Sequence, residues 1–450
     1  MNRVAKITKI KKPTNVYDVY LPNAGCFYLG SGHLCHNSRP EIGRFLKKAG
    51  VDTGEKTKTG QMKTSADVLA KVDHPAAQDL VKRAKLVKAK TSYIEKLAKS
   101  DWTRFNFKIY DTATGRFASG SSDDDNSYYL KFNAQNITKP KACFYAAEKV
   151  GDWDDADVNR DASTFLGWKF VPIDSPQDAE YAVEGYAPDR NIRRALRVPA
   201  DDWYFVSMDF AQEELMLAAM LSREPVLMEA FRHYEDSHRA VALEMFGKEN
   251  YNRDARKKGK IANFALLFGG NKWTLAASSG LPVDECEEIY ERYWKSLKVL
   301  RTWKKKRVAE AFNSGGTAYT IYQRPRRLKH WLTHSSPQKR SYGERSVVSH
   351  IIQGSSGDIM RICLVRFFKE IWANFGRNEN VRFVNAVHDE VDFVVRQNCF
   401  DDVYAATKKA MELTPPGCEL ALRTSLEVGN SYGYMFEFEK IEGEYRPVRA

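Results

Sequence analysis

A chain of 450 residues is long enough for two or three domains with sizeable cores, and its net charge of +12 suits a polyanionic partner without specifying a fold. Seven cysteines, none in a Cys-x-x-Cys pair, argue against a zinc site and a disulfide framework, which leads us to expect a reducing, cytoplasmic setting. No apolar run is long enough to span a bilayer and no signal-peptide core opens the sequence, so neither a membrane nor export is expected.

Residues 1–37 read as a small β unit. Val16-Tyr17-Asp18-Val19 predicts a strand, Pro22-Asn23-Ala24-Gly25 a turn, and Cys26 to Leu29 a second strand before Gly30-Ser31-Gly32. The segment ends Leu34-Cys35-His36-Asn37, and Ser38 follows. An asparagine amide can attack its own carbonyl and cleave the next peptide bond, a neighbouring imidazole can assist by proton transfer, and a following hydroxyl can accept an acyl group. His-Asn-Ser alone also describes an ordinary loop. In size, order and residue types the segment resembles the C-terminal fragment of a split intein. That resemblance implies that Asn37 cyclises, His36 assists, Ser38 is the downstream nucleophile and Asp18 is the assisting aspartate. Cys26 departs from the family, which usually has a histidine there. The resemblance further implies trans-splicing to a separately encoded polypeptide carrying the N-terminal intein half. Lys6, Lys9, Lys11 and Lys12 either steer an acidic partner or form a solvated face.

Ser38 with Glu41 three residues on predicts a capping box and a helix through Ile42, Phe45 and Leu46. After a polar loop, Asp79 to Leu97 predicts a long helix with Leu80, Ala84, Val87 and Ile94 on its apolar side. Its outward Lys82, Arg83, Lys85, Lys88 and Lys90 suit either nucleic-acid phosphates or water. Phe105, Phe107 and Ile109 alternate like a strand, and Ser119 to Ser127, with Asp123, Asp124 and Asp125, reads as a loop. Lys141 to about Asp189 is acidic around Asp152, Asp154, Asp155 and Asp157. It lacks the glycine and spacing of a calcium loop and reads as a solvated surface excursion.

Val206-Ser207-Met208-Asp209 predicts an apolar strand ending in a carboxylate, with a helix from Gln212 carrying Glu214. From Arg253 to Gly270, Arg256, Lys260, Phe264 and Phe268 recur at every fourth position, so a helix there carries two cations and then two aromatic rings on one stripe. Ile261, Ala262, Leu266 and Leu267 are left to bury the opposite side. The stripe suits a ligand with phosphates at one end and a flat base at the other; taken alone, it equally describes an amphipathic core helix stopped by Gly269 and Gly270. Arg324, Arg326 and Arg327 predict a basic hairpin, and Arg345, Ser349 and Gln353 share a helical face. Phe383 to Val387 predicts a strand ending at His388-Asp389-Glu390, with Val391 to Val395 as its return. Two strand ends thus each deliver a carboxylate, Asp209 and Asp389, suited to Mg²⁺, which binds through one or two carboxylates plus substrate phosphates.

Taken in order, Asp209 to Leu215, Arg256 to Gly269 and Val387 to Glu390 resemble the motifs of family A DNA polymerases. Thr112-Ala113-Thr114-Gly115-Arg116, Gln135-Asn136, Arg345 and Gln353-Gly354 extend the likeness, which covers roughly Ser38 to the C-terminus apart from the acidic insertion. It implies an α+β right-hand fold: a partial thumb at 38–103, a palm at 104–220 and 341–450 with the insertion at about 141–189, and helical fingers at 221–340. It implies two Mg²⁺ ions on Asp209 and Asp389, with the Phe210 carbonyl as a further ligand, Glu390 in support and His388 at the primer terminus. Arg256, Lys260 and His238 fall to the deoxynucleotide phosphates, Phe264 to its sugar and base, Phe268 to stacking near the template, Gln212 to the nucleotide site, and Glu214 to the space beside C2′. Arg116, Gln135, Asn136, Arg345 and Gln353 fall to primer-template DNA. Phe268 stands where tyrosine is common, Ala265 for a glycine, and Ser349 for an asparagine. The splicing partner would then carry the upstream polymerase half, an arrangement suited to a phage.

Overall fold

The computed structural model of the protein describes residues 26–28, 34–36, 39–57, 59–97, 107–108, 112, 118–119, 135, 137, 140–150, 164–187, 191–376 and 379–450, with backbone alone at 26–28, 34–36, 39–41, 107–108 and 118–119. Asp18, Asn37, Ser38, Arg116 and Asn136 lie outside the described residues, as do Asp152, Asp154, Asp155 and Asp157. The chain divides into two compact units, Met1–Thr103 and Arg104–Ala450. No described helix is long and apolar enough to cross a membrane.

In the first unit, β1 (Cys26–Tyr28) and β2 (Leu34–His36) pair antiparallel with Cys26 opposite His36. Helices α1 (Arg39–Lys48) and α2 (Pro75–Ala89) contribute Leu46, Ala76, Ala77, Leu80 and Val81 to a small core. Pro75 in the first turn and His74, whose Nδ1 accepts from the Ala76 N–H at 3.2 Å, start α2 one turn before the Asp79 start that the apolar spacing predicts. Beyond Ala89 the helix widens into a π turn over Lys90–Ile94 and returns to α at Glu95–Leu97. Beyond Val81 only Tyr93 is buried along this helix: Leu86, Val87 and Ile94 are exposed, although the spacing puts Val87 and Ile94 on the apolar side.

The second unit mixes helices with antiparallel sheets. Phe107–Lys108 pairs with Ala118–Ser119. A four-stranded sheet follows, built from β3 (Ala142–Lys149), β4 (Thr164–Phe165), β5 (Trp168–Ile173) and β6 (Ala182–Tyr186) in the order β4-β5-β3-β6. The segment is therefore not a solvated excursion. Its acidic residues suggest solvent, but Tyr145, Phe165, Phe170 and Val183 are buried in one core with Phe436 and Phe438.

Strand β7 (Trp203–Phe210) leads into seven helices: α3 (Glu213–Ser222), α4 (Pro225–Arg232), α5 (Ser237–Phe246), α6 (Arg253–Leu266), α7 (Lys272–Ser279), α8 (Val283–Ser296) and α9 (Lys298–Asn313). The hairpin β8 (Thr317–Tyr319) and β9 (Pro325–Arg327) comes next, then α10 (Pro337–Ser349), a π turn at His350–Gly354 and α11 (Ser355–Phe375). Strands β10 (Val381–Val387) and β11 (Glu390–Arg396), α12 (Phe400–Met411), and β12 (Thr424–Ser431), β13 (Tyr434–Ile441) and β14 (Glu444–Pro447) complete the unit. The main sheet runs β10-β11-β7-β12-β13-β14. Strand β7 lies in its interior, and every residue from Trp203 to Met208 is buried, as a strand covered on both faces requires.

Candidate active site

The two carboxylate-bearing segments meet at one end of β7. Register sets Asp209 opposite Glu390 on one side and Ser425 on the other. Val387 pairs with Glu390, so His388 and Asp389 form a two-residue turn. Such a turn needs a left-handed residue, and His388 supplies it with φ +56°. The Phe210 N–H donates to the Asp389 carbonyl at 3.2 Å, which ties the strand end to the turn. Asp209, Asp389 and Glu390 are half-buried and His388 is exposed. Among the described residues no three His, Cys, Asp or Glu side chains converge into a preformed metal cluster. Two partly accessible carboxylates still fit Mg²⁺, a hard ion that keeps several waters and shares itself with phosphates.

Gln212 opens α3 in the left-handed conformation and accepts a hydrogen bond from the Ser237 hydroxyl. Behind it, buried Glu213 accepts from Ser356 at 2.6 Å. Glu214 is half-buried and accepts from Gln353 Nε2 at 3.5 Å, while Gln353 Oε1 accepts from Ser349 at 2.7 Å. Arg345 Nη1 donates to Ser341 at 2.7 Å. The Arg345 stem crosses Gly269, where a Cβ would come within 2.7 Å of Arg345 Cγ. The predicted face of Arg345, Ser349 and Gln353 thus exists, and its far end braces Glu214.

Helix α6 is capped by Asn252, whose side chain accepts from the Ala255 N–H at 2.9 Å. Arg256, Lys260 and Phe264 are exposed along one side, while Ala262, Leu266 and Leu267 are buried. Phe268 lies beyond the end of α6, half-buried, so the last member of the stripe belongs to the turn. Arg256 pairs with Asp236, whose carboxyl is held below its ordinary value: burial opposes the charge, but Arg256 and the N–H groups of His238 and Arg239 outweigh it. Asp236 also caps α5, accepting from the His238 N–H at 3.0 Å. His238 is buried, 5.6 Å from the Phe264 ring centroid. Burial pushes its pKa down to about 4, with Asp236 opposing and Lys260 and Arg256 adding to the shift. Asn263 Nδ2 lies 2.9 Å from His238 Nδ1. A neutral ring accepting there carries its proton on Nε2, which suits it to donate to a phosphate.

Gln135 is buried and donates to the Ala386 carbonyl at 2.6 Å, so its amide braces β10 near the His388-Asp389 turn. The predicted basic hairpin forms, but Arg324 faces inward and bonds Asp358 at 2.7 Å and the Gly354 carbonyl at 2.9 Å. Sequence reasoning missed several supporting residues. Asn263 behind His238 and Ser356 behind Glu213 are small polar residues with no local signature. Asp392 is fully buried on β11, opposite Ser207, and burial with nearby Glu390 pushes its carboxyl well up. Lys304 on α9 donates to the Leu266 and Leu267 carbonyls, and burial pushes its ammonium down to about 7.

The chain belongs to DNA polymerase family A, whose sequence model matches residues 183–434. Among curated proteins it is 27% identical over 406 residues to the thermostable DNA polymerase I of Thermus thermophilus, covering 87% of this chain and 40% of that protein. It is 27% identical over 420 residues to DNA polymerase I of Synechocystis, covering 86% and 36%. DNA polymerase I of Bacillus subtilis is 26% identical over 362 residues, covering 79% and 35%. The chain thus spans well under half the length of these relatives. Among solved structures, the POL domain of Pol1 from M. smegmatis, in complex with DNA primer-template and dNTP, superposes with a TM-score of 0.62 at 22% identity, covering 88% of this chain and 62% of that one. The fold is shared with that domain.

Proposed function

We propose that the chain is a template-directed DNA polymerase that adds deoxynucleotides to a primer 3′ end. The observation that carries this reading is the tie between the Asp209 strand end and the Asp389 turn, in a family A chain whose α6 exposes Arg256, Lys260 and Phe264. Phosphoryl transfer asks mainly for positioning and charge stabilisation. Asp209 and Asp389, with the Phe210 carbonyl, would hold two Mg²⁺ ions, which when bound neutralise charge on the attacking and leaving oxygens. Glu390 supports Asp209 across the strand pair, and His388 stands beside the primer terminus. Arg256 exchanges Asp236 for the triphosphate, Lys260 adds a compact charge, and neutral His238 donates from Nε2. Gln212 lies by the phosphates, Phe264 against the sugar and base, and Phe268 near the template. Glu214, braced by Gln353, fills the space that a ribose 2′ hydroxyl needs. Arg116, Asn136, Arg345 and Gln353 serve the DNA, with buried Gln135 acting through the β10 strand that it braces, and the thumb, palm and fingers divide as the sequence predicts. The reading sets the enzyme in the cytoplasm with its DNA and deoxynucleotides.

Primer extension on a primed template tests this. Asp209→Asn and Asp389→Asn should each lower extension about a thousandfold, since each weakens the hold on the metal ions that would stabilise charge developing in the transition state. Undiminished extension in Asp389→Asn would sink the reading and favour a duplex-binding protein. A preference for ribonucleotides would favour a single-subunit RNA polymerase.

Residues 1–37 are proposed to be the C-terminal half of a split intein, with His36, Asn37, Ser38 and Asp18 in the splicing roles and an upstream polymerase half as partner. Mixing the chain with a purified N-terminal intein half should release a product beginning at Ser38, readable by intact mass. Asn37→Ala should abolish that release; if release persists, Asn37 is not the cleaving residue.

A further inference from the structure

We propose that Lys304 is a positioning residue for the nucleotide site: it fixes the C-terminal end of α6 and so the orientation of Arg256, Lys260 and Phe264. The inference rests on the polymerase reading above. A helix end leaves its last carbonyls without intrahelical partners. After Leu266 the chain turns sharply, with Gly269 at φ +90° and the Gly270 N–H returning to the Ala265 carbonyl at 3.1 Å. Lys304 Nζ donates to the carbonyls of Leu266 at 3.1 Å and Leu267 at 2.8 Å, at the negative end of the helix. Its ammonium also lies 4.5 Å from the centroid of the Trp294 ring on α8.

Three features set Lys304 apart from a lysine kept for solubility. Among the described residues no carboxylate lies within ion-pair distance of it, whereas the neighbouring Lys305 and Lys306 point outward and are exposed. Its helix is itself anchored, because the buried Glu224 carboxylate accepts from the Leu300 N–H of α9 at 2.8 Å, one turn before Lys304. Phe264 lies within one turn of the carbonyls that Lys304 holds, so a slip at that end rotates the ring and then Lys260 away from their common direction. A contact chain therefore runs from Glu224, just past α3, through α9 to the end of α6. Glu214 stands at the other end of α3. Lys304 thus couples the helix that bears the sugar-facing carboxylate to the helix that bears the phosphate-facing cations.

The test compares full-length wild type, Lys304→Met and Lys304→Arg. Lys304→Met should raise the deoxynucleotide KM about tenfold, the scale of the two hydrogen bonds it removes, with the primer-template KM unchanged, and Lys304→Arg should recover most of the loss. In the ligand-free chain, hydrogen exchange across residues 264–271 should quicken about tenfold in Lys304→Met and stay near wild type in Lys304→Arg. Unchanged KM and exchange in Lys304→Met overturn the proposal. So does an equal loss in both variants with faster exchange throughout the chain, which marks general destabilisation. Wild type that extends no primer sinks the polymerase reading, while the exchange comparison still decides whether Lys304 fixes α6.

Discussion

His238 shows how a single ring is kept neutral beside two cations. Between about 4 and its ordinary value of 6.5, the unfolded chain binds a proton that the folded chain refuses, so this residue makes stability fall as pH drops through that window and leaves it flat above. Urea denaturation at pH 5 and pH 7.5 should therefore show a loss at the lower pH that is smaller in His238→Gln; an equal loss would mean that His238 titrates normally. Glu214 depends on a neighbour in a different way. Its carboxylate is met by Gln353 Nε2 at 3.5 Å, and Gln353 is held by Ser349 at 2.7 Å. Gln353→Ala should let Glu214 swing and lower the preference for deoxynucleotides over ribonucleotides about tenfold, read as a ratio of kcat/KM values. An unchanged ratio would remove Gln353 from sugar selection.

Helices α5 and α6 cross where Gly259 has no side chain. A Cβ there would stand 2.9 Å from the His238 carbonyl and 3.1 Å from Ala242 Cβ. The close approach brings Asn263 to His238 and Arg256 to Asp236. Gly259→Ala should cost about 1–3 kcal/mol by forcing the helices apart, and should raise the deoxynucleotide KM as His238 moves. Denaturant midpoints and extension kinetics check both; full stability with unchanged KM would show that the crossing tolerates a methyl. The stripe on α6 was legible because helical periodicity is local: Arg256, Lys260 and Phe264 fall on one exposed side as spacing predicts. Phe268 fell outside the helix because the turn at Gly269 begins first. Lys304 was illegible because two helices separate it along the chain from its partners, and a lysine among lysines reads as solvated. Asp209 and Asp389 were legible as strand ends, but the register that sets Glu390 opposite Asp209 was not.

Across the second unit, the segments flanking the family match at residues 183–434 fold together. The Trp168 indole donates to the Tyr445 carbonyl at 2.9 Å, the Tyr181 hydroxyl to the Pro447 carbonyl at 2.6 Å, and the Ala450 N–H to the Ala182 carbonyl at 3.0 Å. Phe436 on β13 is the hub, stacked on Phe170 at 3.8 Å between centroids and edge-on to Tyr145 at 5.0 Å. Packing over such a separation leaves no local trace, and the aspartates at 152–157 pointed to water, so the sequence concealed how this sheet is buried. The arrangement makes the C-terminal strands structural support for β12, which itself borders β7 and Asp209. Removing the hub should therefore reach the Asp209 end of β7 through the sheet. Phe436→Ala should cost about 3–5 kcal/mol, because a ring packed on four others, Tyr145, Phe165, Phe170 and Tyr434, leaves a cavity that rigid aromatic neighbours cannot close. Glu439→Ala, on the exposed side of the same strand, should stay within about 0.5 kcal/mol. Urea denaturation with proteolysis of residues 142–186 as a second readout separates the cases. If Phe436→Ala loses no more than Glu439→Ala, the four-stranded sheet is an appendage that the main sheet does not need; if it loses the expected amount and extension falls with it, the flanking segments are part of the catalytic framework.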